Sequence, residues 1–190
     1  MIAAAALIAA VIAALLIYAA TRPDTMRIER SLHIHASPEQ IRPLINTLQR
    51  FNTWNPYNQK DPSIKLSYRG PASGPGAVFD FDGNKNVGMG SIGIIEPSAP
   101  NCVTMTLDMS RPMECHNVID FTLTKEGEGT RVTWAMRGPC PYLGKLMGVI
   151  FNMDKMVGRD FETGLAGLKA LAEGTAPSTA TLSTAAPPVA

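Results

Sequence analysis

The fold is decided by residues Leu143–Glu173, LGKLMGVIFNMDKMVGRDFETGLAGLKALAE, which follow a long run of alternating strand-like segments. Apolar residues recur in this stretch at steps of three and four, the period of an amphipathic helix: Leu143, Leu146, Met147, Ile150, Met153, Val157, Phe161, Leu165, Leu168 and Ala172. About thirty residues at 1.5 Å each would give a rod of roughly 45 Å, longer than a small sheet is wide. Such a rod is best covered by a curved sheet, and we expect function in the space between the two.

The segments before this helix predict a curved antiparallel sheet with an early helical insertion. Met26 to Ala36 alternates as a first strand, and Ser37-Pro38-Glu39-Gln40 has the residues of a helix capping box. A helical stripe reaches Phe51, and Pro43 within it predicts a kink or a later start. Six more strands are predicted around residues 64–68, 79–82, 87–96, 103–109, 119–123 and 132–136. Seven strands with a terminal helix make an α+β domain.

The two ends of the chain differ from the domain between them. Ile2–Ala20 contains no charged residue and is long enough to cross a bilayer, which predicts a single-pass membrane anchor rather than a cleaved signal peptide. The arginines after it favour a cytoplasmic domain, but small secretory anchors leave the side of the membrane open. The predicted organisation is an anchor at 1–22, a domain at 23–173 and a disordered tail at 174–190. A net charge of +1 gives no basis for binding nucleic acid.

The order of elements resembles the helix-grip fold of the START and pollen-allergen-like superfamily (SRPBCC), in its polyketide cyclase/dehydrase and lipid-transport branch. The residues that carry this resemblance are Ile34 to Pro38, Phe51 with Trp54-Asn55-Pro56, Thr130 to Trp134, and Asp160-Phe161-Glu162 followed by Gly164, Leu165 and Leu168. The likeness spans residues 26–173. It implies an internal cavity that binds lipids, sterols, polyketides or quinones, with catalysis in some members. No catalytic motif of the family can be placed on this sequence.

The inward faces of the strands and of the last helix predict the lining of that cavity. Ten methionines in 190 residues also favour a pliable apolar surface, although the same residues could simply fill a core. The predicted ligand-binding residues are Phe79, Phe81, Met105, Leu107, Met109, Asn117, Ile119, Phe121, Trp134, Met136, Ile150, Met153 and Val157. Asn117 and Arg30 have inward parity near strand ends, so either could meet the head group of a ligand.

Acid–base, metal and cofactor chemistry have little support in the sequence. Strand parity turns the candidate titratable groups away from the interior: His33, Asp80, Asp82, Asp108, His116 and Asp120. His33 and His35 share a face without a third ligand nearby, so a surface pair is expected. We therefore predict no catalytic residues, no metal site and no cofactor.

The facing strands near the end of the sheet predict a register and a possible cysteine pair. If Ile119, Phe121 and Leu123 oppose Met136, Trp134 and Val132, the hairpin loop is Glu126-Gly127-Glu128-Gly129. The same register places Cys115 opposite Cys140. Flanking prolines at 139 and 141 could separate the two cysteines before they pair, so the register does not decide whether a disulfide forms.

The sequence therefore predicts a membrane-anchored helix-grip domain that binds a hydrophobic, lipid-like small molecule, and it favours a protein that is not an enzyme. Two alternatives remain: an enzyme acting on a polyketide-like ligand in the same cavity, and an interaction module with a filled core. A polar cluster deep in the pocket would favour the enzyme, and an interior without a ligand-sized void would favour the interaction module.

Overall fold

Residues 2–97, 99–150 and 152–174 are described by the structure, a computed structural model. The elements in chain order are α1 (Ile2–Ala20), β1 (Thr25–Ile34), α2 (Pro38–Asn46), α3 (Leu48–Trp54), α4 (Pro56–Lys60), β2 (Lys65–Arg69), β3 (Val78–Asp82), β4 (Met89–Ile95), β5 (Cys102–Arg111), β6 (Cys115–Glu126), β7 (Gly129–Pro139), α5 (Tyr142–Ile150) and α6 (Met153–Ala172). The prediction of an α+β domain with seven strands is confirmed.

The strands form one antiparallel sheet in the order β1-β7-β6-β5-β4-β3-β2. The predicted register of the β6–β7 hairpin is confirmed, because Phe121 pairs with Trp134 and Glu126 pairs with Gly129. Gly127 takes a φ of +57° at the tip of the hairpin, a left-handed conformation that glycine adopts without strain. Alternation along each strand then turns one set of side chains toward α6 and the other toward solvent.

The predicted start of the first helix is confirmed, but its length is wrong. Both bonds of the capping box are present: Ser37 N donates to Gln40 Oε1 at 2.9 Å, and Gln40 N donates to Ser37 Oγ. Pro43 lies inside α2 without stopping it, and the helix ends at Asn46. A short α3 follows and ends at Trp54, whose Nε1 donates to the carbonyl oxygen of Leu44 at 2.9 Å.

The prediction of one continuous helix over Leu143–Glu173 is wrong, because the stretch contains two helices. Asn152 separates them and caps α6, since its side chain accepts a hydrogen bond from Lys155 N at 2.9 Å. Asp154 in the first turn adds a favourable charge at the helix N-terminus. The apolar α5 lies beside α1, where the Tyr142 hydroxyl donates to the carbonyl oxygen of Leu16 at 3.0 Å.

The core lies between the inward face of the sheet and the helices α2, α3 and α6. Its centre is a cluster of buried aromatic rings: Phe51, Trp54, Phe121, Trp134 and Phe161. The rings of Trp134 and Phe161 stack with centroids 4.2 Å apart, which fixes α6 on β7. A Cβ added to Gly164 would lie 2.6 Å from Trp134 Cζ3, so a residue without a side chain is needed for this approach.

The glycines of β4 bring that strand close to β5. A Cβ on Gly90 would lie 2.3 Å from the carbonyl oxygen of Asp108. The register between the two strands also shifts between Met89 and Gly90, which is a β-bulge and bends the sheet.

The cysteines are free, so the open question of a disulfide is answered against a bridge. The pairing of β6 with β7 extends only as far as Val118 and Arg137. Beyond it, Cys140 N donates to the carbonyl oxygen of Asp24 at 2.7 Å, which draws Cys140 toward the start of β1.

The predictions for the two ends have different outcomes. Within residues 2–97, 99–150 and 152–174, no helix combines the length and hydropathy of a membrane-spanning segment, so the structure does not support the predicted anchor. The predicted disordered tail falls at residues 175–190, outside the described residues, apart from Gly174.

Candidate functional site

Most of the predicted lining residues lie on the inner side of the sheet, but to different depths. Asn117 and seven apolar residues are buried: Phe79, Phe81, Met105, Ile119, Phe121, Trp134 and Met136. Leu107, Met109 and Val157 are only partly buried. Met153 is 36% exposed, and the side chain of Ile150 lies outside the described residues. The predicted lining residues are therefore not all buried.

Inward-facing side chains on neighbouring strands form rows across the sheet, and their burial decreases from one row to the next along the strands. The row Ile28–Met136–Ile119–Met105 is fully buried. The next row along the strands contains Met26, Gly138, Asn117 and Leu107, and the row after it contains Cys115 and Met109. On β1, β5, β6 and β7 every residue of these two rows but Asn117 is only partly buried, whereas the same rows end on β3 and β4 in the buried side chains of Phe79, Phe81 and Ile92. We call the six residues Met26, Gly138, Asn117, Leu107, Met109 and Cys115 the open end of the interior.

The position of α6 explains why burial decreases at the open end. Asp154, in the first turn of α6, binds Arg30, and Arg30 pairs with Trp134 on β7. The other end of α6 lies beyond, where Lys169 Nζ donates to the carbonyl oxygen of His33 at 3.0 Å. Because α6 begins near Arg30 and runs away from Met26, it covers the aromatic cluster and does not extend over the open end.

Arg30, one of the two residues that inward parity left as able to meet a head group, is paired with two carboxylates. Its Nε lies 2.9 Å from Glu162 Oε1, and its Nη2 lies 3.0 Å from Asp154 Oδ2. The hydrogen bond from Arg30 holds the pKa of the Asp154 carboxyl below its usual range. A Cβ on Gly158 would lie 2.0 Å from Arg30 Nη2, so the guanidinium occupies the space that this glycine leaves. Arg30 therefore fixes the start of α6 on β1.

Asn117 is the polar side chain that the structure places inside the open end. It is 5% exposed, and its Oδ1 has no hydrogen-bond partner among the described residues. Its Nδ2 makes a long contact of 3.5 Å with Cys115 Sγ. Burial raises the pKa of the Cys115 thiol, which keeps this neighbour uncharged. A buried acceptor without a partner is rare in folded proteins and needs an explanation.

Trp134 contributes a second buried polar atom, further inside. Its Nε1 also lacks a partner within the described part of the chain. Cζ3, on the opposite edge of the indole, lies under Gly164 of α6, and the ring face stacks on Phe161. The indole is thus held on two sides while its donor stays unpaired.

The outer face of the sheet carries two open hollows. The larger has a volume of about 470 Å³ and is lined in part by Ser67, Asp80, Ser91 and Asp108, which lie in one row across β2 to β5. The smaller, of about 290 Å³, includes Asn101. Neither hollow lies between the sheet and α6, so the predicted enclosed cavity stays a prediction.

The titratable groups of this outer face pair with one another, as expected of surface residues. His116 Nδ1 lies 2.7 Å from Asp108 Oδ1, and Arg69 Nε lies 3.0 Å from Asp80 Oδ2. His33 and His35 place their rings 4.9 Å apart, edge to face. In the described ranges, no group of three or more His, Cys, Asp or Glu side chains is arranged to hold a metal ion.

Sequence reasoning missed two polar clusters that hold α6. One is the Arg30 cluster; its signal was the four-residue spacing of Asp154, Gly158 and Glu162, which places all three on one helix face. The other joins α4 to α6, where Lys60 Nζ lies 2.6 Å from Asp160 Oδ2. Burial, and then the neighbouring Asp160 carboxylate, raise the pKa of the Tyr57 hydroxyl.

A curved antiparallel sheet wrapped on a carboxy-terminal helix, with an apolar interior open at one end, defines the helix-grip class of proteins. A model of the family described as polyketide cyclase / dehydrase and lipid transport matches residues 25–173. The chain belongs to this family. No curated protein matches it.

Solved structures from several organisms share the fold. Protein CV1439 from Chromobacterium violaceum is 15% identical with a TM-score of 0.55, and the match covers 80% of this chain and 99% of that one. The Aha1 dimer from Colwellia psychrerythraea is 19% identical with a TM-score of 0.54, covering 80% and 99%. Major latex-like protein 151 from Panax ginseng is 12% identical with a TM-score of 0.54, covering 78% and 98%. At these identities the likeness shows the fold alone.

Proposed function

We propose that the domain binds a hydrophobic small molecule at the open end of its interior. The observation that carries the proposal is the row-by-row loss of burial: Leu107 and Met109 point inward yet stay partly uncovered, while Met105 on the same strand is fully buried. An apolar molecule seated there would remove these side chains from water, which contributes about 25 cal/mol per Å² of apolar area buried. Membership of a family described by lipid transport supports the same reading.

Methionines make this surface suitable for a ligand of irregular shape. Met26 and Met109 belong to the open end, and Met136 lies in the next row inward. Unbranched thioether side chains adapt to irregular surfaces more readily than branched ones. The buried aromatic cluster beyond Met136 closes the interior on the other side, so the ligand would lie against it rather than pass through.

A pair of tryptophan substitutions tests where the ligand binds. Leu107→Trp would fill the open end, whereas Ser91→Trp would fill the larger outer hollow from a position on the neighbouring strand and the opposite face. Native mass spectrometry of the purified full-length chain would measure the co-purified ligand. We expect Leu107→Trp to remove the bound mass and Ser91→Trp to keep it. The reverse pattern would assign binding to the outer hollow, and a wild type without any bound small molecule would favour an interaction module with a filled core.

We also propose that residues 2–20 attach the domain to a membrane. The support is the sequence, nineteen residues without a charge, and the exposure of apolar side chains such as Leu7 and Ile17 in α1. Alkaline carbonate extraction of membranes from cells that produce the chain would test this. We expect the full chain in the membrane pellet and a chain lacking residues 2–20 in the supernatant. Full-length chain in the supernatant would reject attachment.

A further inference from the structure

The unpartnered oxygen of Asn117 carries information about the ligand. This side chain lies at the apolar open end, is almost fully buried, and has its Oδ1 without a partner in the described residues. Leaving an acceptor buried and unpaired costs free energy, and a partner that arrives with a ligand would remove that cost. Asn117 is therefore a point at which the interior can distinguish one apolar molecule from another.

The sheet is shaped around this amide. Gly138 on β7 faces Asn117, and a Cβ at Gly138 would lie 1.9 Å from Asn117 Oδ1. Any other residue at position 138 would occupy the space of the amide, so the glycine gives Asn117 its buried position. In the structure Nδ2 faces Cys115 Sγ and Oδ1 faces Gly138, which leaves Oδ1 to accept a hydrogen bond.

The two least exposed cations near the open end are already paired with carboxylates. These cations are Arg30, which is partly buried on β1, and Lys145 on α5, which is buried beside Asp24 just before β1 begins. Arg30 holds the two carboxylates of Asp154 and Glu162, and Lys145 Nζ lies 2.5 Å from Asp24 Oδ1. A charged head group entering this region would lose hydration without gaining an uncommitted partner among these groups.

We propose that the ligand is an uncharged apolar molecule with a hydroxyl group, and that this hydroxyl donates a hydrogen bond to Asn117 Oδ1. The inference rests on the proposed binding function and names its ligand class. A hydrocarbon would leave the acceptor unpaired, and an ether would offer oxygen without a hydrogen to donate. A carboxylate would bring a second acceptor and a charge.

Four probes built on a ten-carbon chain separate these cases: 1-decanol, decyl methyl ether, decanoate and n-decane. Binding to the full-length chain would be measured by calorimetry, with the protein held in an amphipathic polymer so that no detergent competes. We expect 1-decanol to bind about fivefold more tightly than decyl methyl ether, because one neutral hydrogen bond typically changes a binding constant by about this factor. Decanoate at pH 8 should bind more weakly than either.

Asn117→Leu, which replaces the amide with an apolar side chain of similar size, should reduce the preference for 1-decanol over the ether to within about twofold. The matched control is Asn101→Leu in the smaller outer hollow, which should keep the preference. If no probe binds the wild type, the proposed function fails. If all uncharged probes bind equally, or if Asn117→Leu keeps the preference, binding stands and the assigned role of Asn117 fails. Should Asn117→Leu not fold, the preference of the wild type for 1-decanol over decyl methyl ether decides alone.

Discussion

Adding one methyl group to α6 at Gly164 should destabilise the domain, because the helix lies directly on two rigid neighbours there. The new Cβ would lie 2.6 Å from Trp134 Cζ3 and 3.0 Å from Pro56 Cδ. Trp134 cannot move away easily, since it stacks on Phe161. Overpacking of this kind costs about 1–3 kcal/mol. Alanine in place of glycine returns about 1 kcal/mol through its higher helix propensity, so Gly164→Ala should lose roughly 0–2 kcal/mol.

Gly167→Ala is the matched control, one turn further along the same helix. Its Cβ would lie 3.4 Å from Trp54 Cβ, a distance that the neighbour can accommodate, so the propensity gain of about 1 kcal/mol should dominate. The two variants should therefore differ by about 1–3 kcal/mol in the free energy of unfolding, measured by urea titration with tryptophan fluorescence. In thermal unfolding, each kcal/mol corresponds to about 2–4 °C for a chain of this size. Equal stabilities would refute the reading that α6 rests on Trp134 at Gly164.

Three further predictions follow from the described contacts. Ser37→Ala should lower the free energy of unfolding by about 1 kcal/mol, while Thr47→Ala, whose side chain makes no capping bond, should change it by less than about half of that; chemical denaturation of both checks this. The hydrogen bond from Arg30 lowers the pKa of Asp154, so this bond stabilises the fold fully above the unfolded-state pKa of about 3.9. The stabilisation is lost as pH falls through the lower pKa of the folded state. Asp154→Asn should therefore flatten the acid limb of a plot of Tm against pH, and an unchanged limb would argue against the ion pair. Alkylation of the unfolded chain without reductant should label all three cysteines, and a mass deficit that reduction restores would reveal a disulfide.

The register of the β6–β7 hairpin could be predicted because its information is local and periodic. Apolar residues alternate along β6 and β7, and a slip of one residue would turn Phe121 and Trp134 out of the core. The capping box at Ser37 is local in the same way. These features require no knowledge of what lies across the molecule.

The break between α5 and α6 was missed because an apolar stripe continues across it. Asn152 followed by Asp154 is a helix-start signal, but Asn also occurs inside helices, and the three- and four-residue spacing favoured continuity. Where α6 begins decides how far it covers the sheet. The open end of the interior therefore could not be predicted once one long helix was assumed.

The candidate site was only partly predictable for a related reason. Strand parity placed Asn117 and Arg30 on the inner face, and both are there. Parity cannot show that Arg30 meets carboxylates more than a hundred residues away, or that Gly138 leaves space for the amide of Asn117. Those relations depend on packing between distant segments.

The central claim, that a hydrophobic molecule binds at the open end of the interior, is tested most directly by NMR of the chain labelled at its methionine methyl groups. Met109 belongs to the open end, while Met89 lines the larger outer hollow and serves as an internal control. With 1-decanol added, we predict intermolecular nuclear Overhauser effects from the alkyl chain to Met109 and none to Met89. Contacts to Met89 without contacts to Met109, or contacts to neither, would contradict the account.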